Sequence, residues 1–250
     1  MTIDQVTLYG LGLRPGQNIN VGPYAWKTAV DLGLLSIPYR LEGRTFAEIR
    51  TSWESETVAG ITVPAIQDGE RWVFDSFRLA QYLEDKYGGK RLFPRGQEIA
   101  RFLNTWADRD LGGEIVPLFA PWLYKAQEPD SSAWFLKQKL GGDQDKIDAL
   151  VLAVQDPAFI ERQAAAVRAK LATLEAYLAA NEAEGAGPFL AGETASHADA
   201  AVWGWYAASL AVRHPGVDLG ALIWKHESLP LVGAWVDAVQ KAAGVELLLE

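Results

Sequence analysis

The sequence contains no cysteine, and it has only one methionine and three histidines. The absence of cysteine excludes disulfide bonds, thiolate metal sites and a nucleophilic cysteine carried by the chain itself. If thiol chemistry takes place here, the thiol must arrive on a ligand. His197, His214 and His226 have neither the spacing nor the acidic neighbours of a metal site, so we expect no bound metal.

Long basic and long apolar segments are missing as well. The formal net charge is −9, and no block of Lys and Arg is present that would follow nucleic-acid phosphates. The best candidate for a membrane span, residues 200–212, is too short. Residues 1–5 lack the basic and apolar regions of a secretory signal. We therefore expect a cytoplasmic protein with no nucleic-acid or membrane partner.

The first third of the sequence alternates strand and helix patterns. Residues 6–9 predict a strand that Gly10 ends, and residues 37–41 predict a second strand. Between them, Pro23 is suited to the first turn of a helix. Apolar residues recur at helical spacing after it, at Trp26, Ala29, Val30 and Leu34.

A hairpin and a further helix follow. Residues 61–66 predict a third strand and residues 71–74 a fourth, joined by an Asp-Gly turn. Asp75 and Ser76 begin a helix that ends at two consecutive glycines. The predicted order is β-α-β, then a connecting segment, then β-β-α.

Strand patterns disappear after residue 89. From about residue 97 the pattern is helical, and its most regular apolar stripe consists of Ile160, Ala164, Val167, Leu171, Leu174 and Leu178. We therefore predict an α/β domain at residues 1–88, a linker at 89–97 and an all-α domain at 98–250.

Pro64 lies inside the third predicted strand, where a residue without an N–H group is unusual. One explanation is an edge strand. The other is a cis peptide bond, which turns the backbone groups of Val63 outward, where a peptide-like ligand can pair with them.

Asp75 and Ser76 also allow two interpretations. Such a pair commonly caps a helix and contributes about 1 kcal/mol. The free N–H groups of a helix start also attract a carboxylate, to which the Ser76 hydroxyl can donate, while Asp75 can accept from an ammonium group. Together they would bind an amino-acid-like end such as the γ-glutamyl group of glutathione. By contrast, Ser196 and Asp199 form a capping box to which we assign no chemistry.

These motifs, in this order along nearly the whole chain, resemble those of the glutathione transferases. The motifs are Thr62-Val63-Pro64, Asp75-Ser76, the linker near Pro94, and Gly192 followed by Ser196-His197-Ala198-Asp199. Residues 23–28 and 72–76 are also similar to a narrower group, the bacterial β-etherases, which cleave lignin-derived aryl ethers, and related fungal transferases. The resemblance implies a thioredoxin-like N-terminal domain, a C-terminal helical bundle, glutathione as co-substrate and a homodimer.

The resemblance also implies site residues. Val63 would pair its backbone with the cysteinyl part of glutathione, beside Thr62 and with Pro64 in the cis form. Asp75 and Ser76 would hold the γ-glutamyl end. Trp106, Phe119, Trp122 and Tyr124 would line a pocket for a flat aromatic electrophile, although an aromatic stripe more often belongs to a core.

The residue that activates the sulfur is the open question. Relatives in the narrower group place a serine immediately before the proline that opens the first helix, and this chain has Gly22 there. The helix start can stabilise part of the thiolate charge, and Asn20 or Tyr9 can add a donor. We favour Asn20 because it lies on the same segment, with a simple turn residue as the alternative.

Arg14, Lys27 and Arg44 are the nearby cations for the anionic glutathione. The predicted function is attack of the glutathione thiolate on an aromatic-type electrophile, in the narrower form β-aryl ether cleavage in lignin degradation. The alternative, motivated by the missing serine, is a non-catalytic protein that binds glutathione or aromatic ligands.

Overall fold

The computed structural model of the protein describes residues 5–247. The four residues before and the three after this range lie outside the described part, including most of the segment considered above for a secretory signal and the ends of both predicted domains. Within the range, a small mixed sheet with helices is followed by a helical bundle. The predicted class, α/β followed by all-α, is confirmed.

The sheet contains four strands in the order β2-β1-β3-β4. Strands β1 and β2 are parallel, whereas β1 and β3 and also β3 and β4 are antiparallel. The strands are β1 (Val6–Leu11), β2 (Tyr39–Arg44), β3 (Ala65–Asp68) and β4 (Arg71–Phe74). Along the chain, the strands and the helices between them follow the predicted order of elements.

Helices surround the sheet and fill the connecting segment. Helix α1 begins at Pro23, as predicted, after the extended Gly22. The segment predicted only as a connection forms two short helices, the first capped by a Thr45–Glu48 capping box. These helices are α1 (Pro23–Leu34), α2 (Phe46–Arg50), α3 (Ser52–Glu56) and α4 (Ser76–Leu83), which continues into a π-helical turn, Glu84–Gly88.

The predicted limits of three strands are wrong, because pairing with neighbouring strands sets where each strand begins and ends. Strand β1 continues through Gly10 because its parallel register with β2 extends to Leu11. Strand β2 begins only at Tyr39, since the Ile37 N–H bonds to the Leu32 carbonyl at the end of α1. Strand β3 begins at Ala65, the first residue that pairs with β1, so residues 61–64 lie outside the sheet.

The second part of the chain is a bundle of helices with two π-helical turns. These elements are α5 (Glu98–Trp106), a turn at Ala107–Leu111, α6 (Gly112–Ala126), α7 (Pro129–Leu140), α8 (Gln144–Ala153), α9 (Pro157–Glu184), α10 (His197–Ala211), a turn at Gly220–Trp224 and α11 (Pro230–Ala243). All six residues of the predicted apolar stripe are buried on α9. Helix α10 is buried along almost its whole length, which places it at the centre of the bundle.

Helices α1 and α10 join the two parts of the molecule. Gly204 of α10 allows a close approach, because an added Cβ would lie 2.6 Å from the Pro23 carbonyl oxygen. His197 Nδ1 lies 2.8 Å from a carboxylate oxygen of Asp31, and both side chains are fully buried. The capping box of Ser196 and Asp199 is present at the start of α10, as predicted. The sheet and the bundle therefore share one core.

Among the helices of residues 5–247, none is both long and apolar enough to cross a membrane. The same part of the chain has no group of three or more His, Asp or Glu side chains placed to hold a metal ion.

Candidate functional site

A cleft of about 680 Å³ lies between the sheet and the helical bundle. On the sheet side its wall is formed by Leu11, Asn20, Val21, Gly22, Pro23, Tyr24, Ala25, Phe46, Ile49, Arg50, Thr62, Val63, Pro64, Asp75, Ser76 and Phe77. On the bundle side the lining is mainly apolar and comes from α5 to α8 and α10. Three separate backbone segments of the first part thus meet at one place.

The first segment is the corner between β4 and α4. Asp75 has a φ of 74° and a ψ of 123°, a conformation that a residue with a side chain rarely adopts. Its carboxylate accepts a hydrogen bond from the Arg78 N–H at 3.0 Å and so caps α4. Ser76 is buried, and within the described residues its hydroxyl makes no hydrogen bond. The corner presents a free hydroxyl and the N–H groups of a helix start to the cleft.

The second segment is residues 62–64, which run along the cleft just before β3. The peptide bond between Val63 and Pro64 is cis, in agreement with the expectation from the sequence. Thr62 and Val63 are half-buried, so their backbone borders the open space of the cleft rather than the core.

The third segment is the loop that leads into α1. Asn20 is 1% exposed, and its side-chain oxygen accepts from the N–H groups of Leu11 at 3.0 Å and Gly22 at 3.1 Å. Its amide donates to the Gly22 carbonyl at 2.8 Å. Gly10 makes room for this side chain, because an added Cβ would lie 2.9 Å from the Cβ of Asn20. Asn20 therefore holds the loop against β1 and sets where α1 begins.

A polar cluster crosses from α1 to the bundle at the base of the cleft. Lys27 Nζ is fully buried and donates to Asp108 Oδ1 at 2.5 Å and to Asn104 Oδ1 at 2.8 Å. Asp108 also accepts from Trp205 Nε1 at 2.9 Å. Burial lowers the pKa of Lys27, and the Asp108 carboxylate partly opposes this shift.

Tyr24 lies beside this cluster on the first turn of α1. Its ring meets the Trp205 ring edge-on with centroids 6.2 Å apart. Burial, with a smaller contribution from the negative charge of Asp108, raises the pKa of Tyr24 to about 12. The phenol is therefore a neutral donor at physiological pH.

The structure brings most of the sequence-predicted residues to this cleft. Those that line it are Asn20, Gly22, Thr62, Val63, Pro64, Asp75, Ser76 and Phe119. Tyr9, Trp106, Trp122 and Tyr124 lie elsewhere, and we do not retain them in the site.

Tyr9 of β1 is not among the residues that line the cleft. Its ring packs 5.1 Å from the Trp53 ring and 5.2 Å from the Trp72 ring, measured between centroids. The guanidinium of Arg44 lies 5.3 Å from the centroid of the same ring. Its ring thus belongs to an aromatic cluster with Trp53 of α3 and Trp72 of β4, and we do not propose its hydroxyl as a donor in the cleft.

Helix rotation explains the positions of Trp106 and Trp122, but not that of Tyr124. On α5 and the turn after it, Asn104 and Asp108 line the cleft, so Trp106, midway between them, is on the opposite face. Trp122 packs against His214, with ring centroids 5.2 Å apart. Tyr124 lies one helical turn beyond Ala120 on the same side of α6, but its ring packs against Phe135 with centroids 6.3 Å apart, and it is not among the residues that line the cleft.

Several residues that line the cleft were not predicted from the sequence. The aromatic ones are Tyr24, Phe46, Phe77, Trp134, Phe135 and Trp205. The helical spacing of the α6 stripe was a usable signal, whereas Trp205 and Phe46 come from distant segments that no local pattern connects.

The cations also differ from the expected set. Arg14 and Arg44 do not line the cleft, and the ammonium of Lys27 is paired with Asp108. Arg50 and Lys139 line it instead. The Arg50 guanidinium donates to the Ile61 carbonyl at 3.3 Å, which places its charge next to residues 62–64.

Comparisons with known proteins agree with this architecture. A glutathione transferase, GSTFuA3 from Phanerochaete chrysosporium, is 24% identical over 99% of both chains, with a TM-score of 0.72. The glutathione S-transferase CsGST63524 of Ceriporiopsis subvermispora, crystallised in complex with glutathione, is 20% identical over 97% of this chain and 99% of its own, with a TM-score of 0.74. These likenesses show a shared fold.

Family models assign the two parts of the chain directly. Residues 18–91 match the glutathione S-transferase N-terminal domain, and residues 99–214 match the glutathione S-transferase C-terminal domain. The two matches follow one another in the family's order and together cover most of the sequence. The chain therefore belongs to the glutathione S-transferase superfamily.

Proposed function

We propose that this protein is a transferase in which the thiolate of bound glutathione attacks an aromatic electrophile in the cleft between the sheet and the bundle. The observation that carries the proposal is the meeting of two helix N-termini, those of α1 and α4, with residues 62–64 on one wall. Two helix starts provide two separate places for negative charge, one for a carboxylate and one for a thiolate. Glutathione, as co-substrate, carries both groups.

The α4 corner suits the γ-glutamyl end. The carboxylate of the γ-glutamyl group would accept hydrogen bonds from the free Ser76 hydroxyl and from the first N–H groups of α4. The α-ammonium group would donate to the carboxylate of Asp75, which uses one oxygen for the Arg78 N–H. The backbone of Val63 and Thr62 would pair with the cysteinyl part, and the nearby guanidinium of Arg50 would attract the remaining carboxylate.

The α1 start suits the sulfur. An ordinary cysteine thiol has a pKa of about 8.5, and each unit by which it is lowered requires about 1.4 kcal/mol of preferential thiolate stabilisation. Because Pro23 has no N–H, the next backbone donors of α1 are those of Tyr24 and Ala25. Asn20 acts here as a positioning residue, since its side-chain bonds determine where this helix start lies.

The second substrate would occupy the bundle side. The wall there carries Phe119, Trp134, Phe135, Leu140, Ile147, Leu150 and Trp205, an apolar surface of aromatic and aliphatic side chains. Such a surface favours a flat, elongated aromatic molecule. The specific reaction that we propose is displacement of an aryloxide from a β-aryl ether, as in lignin degradation.

The direct test is incubation of the pure protein with glutathione and a β-aryl ether dimer, with phenol release and thioether formation measured together. Ser76→Ala should weaken glutathione binding about tenfold by calorimetry, because a hydrogen bond to a charged group is lost. Ser55→Ala is the matched control, since that hydroxyl bonds only to the Ser52 carbonyl at 2.7 Å.

The outcomes separate the two candidate functions. Phenol release that requires glutathione supports the etherase proposal. Glutathione binding with an unshifted thiol pKa and no phenol release would establish the alternative, a non-catalytic binder, which the glycine at position 22 favours.

We also propose that the protein is a homodimer, that it is cytoplasmic, and that it divides into domains at residues 1–88 and 98–250. Light scattering on the purified chain tests the first, cell fractionation the second, and limited proteolysis within residues 89–97 the third.

A further inference from the structure

The hydroxyl of Tyr24 is a polar group of the cleft that the binding and activation of glutathione leave unused. Tyr24 is the second residue of α1, lines the cleft and is 41% exposed. Its hydroxyl makes no hydrogen bond with any residue of the described range 5–247. A free donor therefore stands beside the helix start at which we place the sulfur.

The ring that carries this hydroxyl is held from two sides. The Trp205 ring meets it edge-on at an interplanar angle of 77°. Lys27 Nζ lies 5.1 Å from its centroid and is itself fixed by Asp108 and Asn104. A ring held this way keeps its hydroxyl in place without a partner for the oxygen, as a preorganised donor requires.

The protonation state suits a donor as well. Partial burial of the phenol raises the pKa of Tyr24 to about 12, with the negative charge of Asp108 adding to the shift. The hydroxyl thus keeps its proton next to an anionic leaving group of lower pKa and stabilises it by hydrogen bonding rather than by complete proton transfer.

The Tyr24 hydroxyl is also placed where it can reach the leaving atom of a bound substrate. The backbone N–H of Tyr24 belongs to the helix start proposed to face the sulfur, and the length of the side chain separates that N–H from the hydroxyl. In a displacement, the attacking sulfur and the leaving oxygen stand on opposite sides of one carbon. Tyr24 can therefore interact with both atoms: its backbone N–H faces the sulfur, and its side-chain hydroxyl faces the leaving oxygen.

Building on the proposed function, we propose that Tyr24 is a catalytic residue that donates a hydrogen bond to the ether oxygen as it leaves. The carbon–sulfur bond forms while the carbon–oxygen bond breaks, and the electron pair of the broken bond stays on the oxygen. The aryloxide departs, takes its proton from water, and Tyr24 retains its own. The site is thereby specific for electrophiles whose leaving atom accepts a strong hydrogen bond.

The test compares Tyr24→Phe with wild type on two substrates that share one carbon skeleton, phenacyl phenyl ether and phenacyl chloride. Phenylalanine keeps the ring and its contacts but removes the donor. We expect kcat/KM for the ether to fall about 10-fold to 100-fold, because a hydrogen bond to a developing charge is lost. With chloride as leaving group the loss should stay within about threefold, since chloride is a weak acceptor.

Tyr177→Phe is the matched control, because that tyrosine is 46% exposed and its hydroxyl bonds to the Leu190 carbonyl on the far side of the bundle. Circular dichroism and the KM for glutathione should be unchanged in both variants. Equal losses of Tyr24→Phe on the two substrates, or no loss on either, would overturn the assignment while leaving the transferase proposal intact. If wild type converted phenacyl chloride but not the ether, the assignment would also be overturned and the transferase proposal would remain intact. Wild type that converts neither substrate would instead overturn the proposed function and this assignment with it.

Discussion

The start of α1 can be tested by adding the hydroxyl that the chain lacks there, through Gly22→Ser. Gly22 has a φ of −91° and a ψ of 142°, an extended conformation that any residue adopts without strain. An added Cβ would lie 3.3 Å from the Cβ of Leu11 and 3.6 Å from Asn20 Oδ1. The substitution therefore needs only a small shift of its neighbours.

The expected effect is a lower pKa for the thiol of bound glutathione. A hydrogen bond to a charged acceptor contributes about 1.5–3 kcal/mol, and one pKa unit corresponds to about 1.4 kcal/mol. The serine hydroxyl should therefore lower the thiol pKa by about one to two units relative to wild type. Near neutral pH, conjugation should accelerate in proportion to the thiolate fraction until most of the thiol is ionised.

The assay is an ultraviolet titration of thiolate absorbance with glutathione saturated by protein, run beside conjugation rates. Gly22→Ala is the control, since it adds the same Cβ without a hydroxyl and should leave the pKa where it is in wild type. If the serine and alanine variants gave the same pKa, the sulfur would not lie at the start of α1, and that part of the reasoning would be refuted.

Three further predictions concern stability. Gly204→Ala should destabilise the fold by about 1–3 kcal/mol in urea unfolding, because its Cβ would lie 2.6 Å from the Pro23 carbonyl oxygen. Gly113→Ala is the control of opposite sign: nothing lies within 4 Å of its added Cβ, so helix propensity should stabilise by up to about 1 kcal/mol. Lys27→Met should lower the free energy of unfolding by about 3 kcal/mol in the same measurement, because Asp108 loses the buried ammonium group that it pairs with. An unchanged urea midpoint would contradict this pairing. The Tyr24 phenol has a folded pKa of about 12 against 10.0 in the unfolded chain, so the folded state keeps its proton longer and stability falls as pH rises through this window. Tyr24→Phe should therefore lose less stability between about pH 9 and about pH 11 than wild type, and equal losses would argue against the shifted pKa.

Local patterns identified the elements that present functional groups. The proline at the start of α1, the Asp75–Ser76 start of α4 and the six-residue stripe of α9 were all readable, because capping and helical periodicity act between residues close in sequence. The limits of β2 and β3 were not readable in this way. A strand ends where its partner ends, and the partner lies elsewhere in the chain.

Local sequence patterns also did not predict which aromatic side chains line the cleft. Phe119 faces the cleft, while Trp122 on the same helix packs against His214. Aromatic residues at helical spacing indicate that one face of a helix is buried, but they do not indicate which residues pack against that face.

What the sequence determined by itself is the class of fold, the order of its elements, and the glycine, serine and aspartate that stand at the two helix starts. Only the tertiary structure decided which side chains share the cleft. Lys27 looked like a cation for an anionic ligand, yet packing of α1 against the bundle buries it against Asp108, 81 residues away in the chain. The same packing leaves Tyr24 facing the cleft beside Trp205. The physical reason is that capping and periodicity depend on neighbours within a few residues, whereas burial and pairing depend on how distant helices pack.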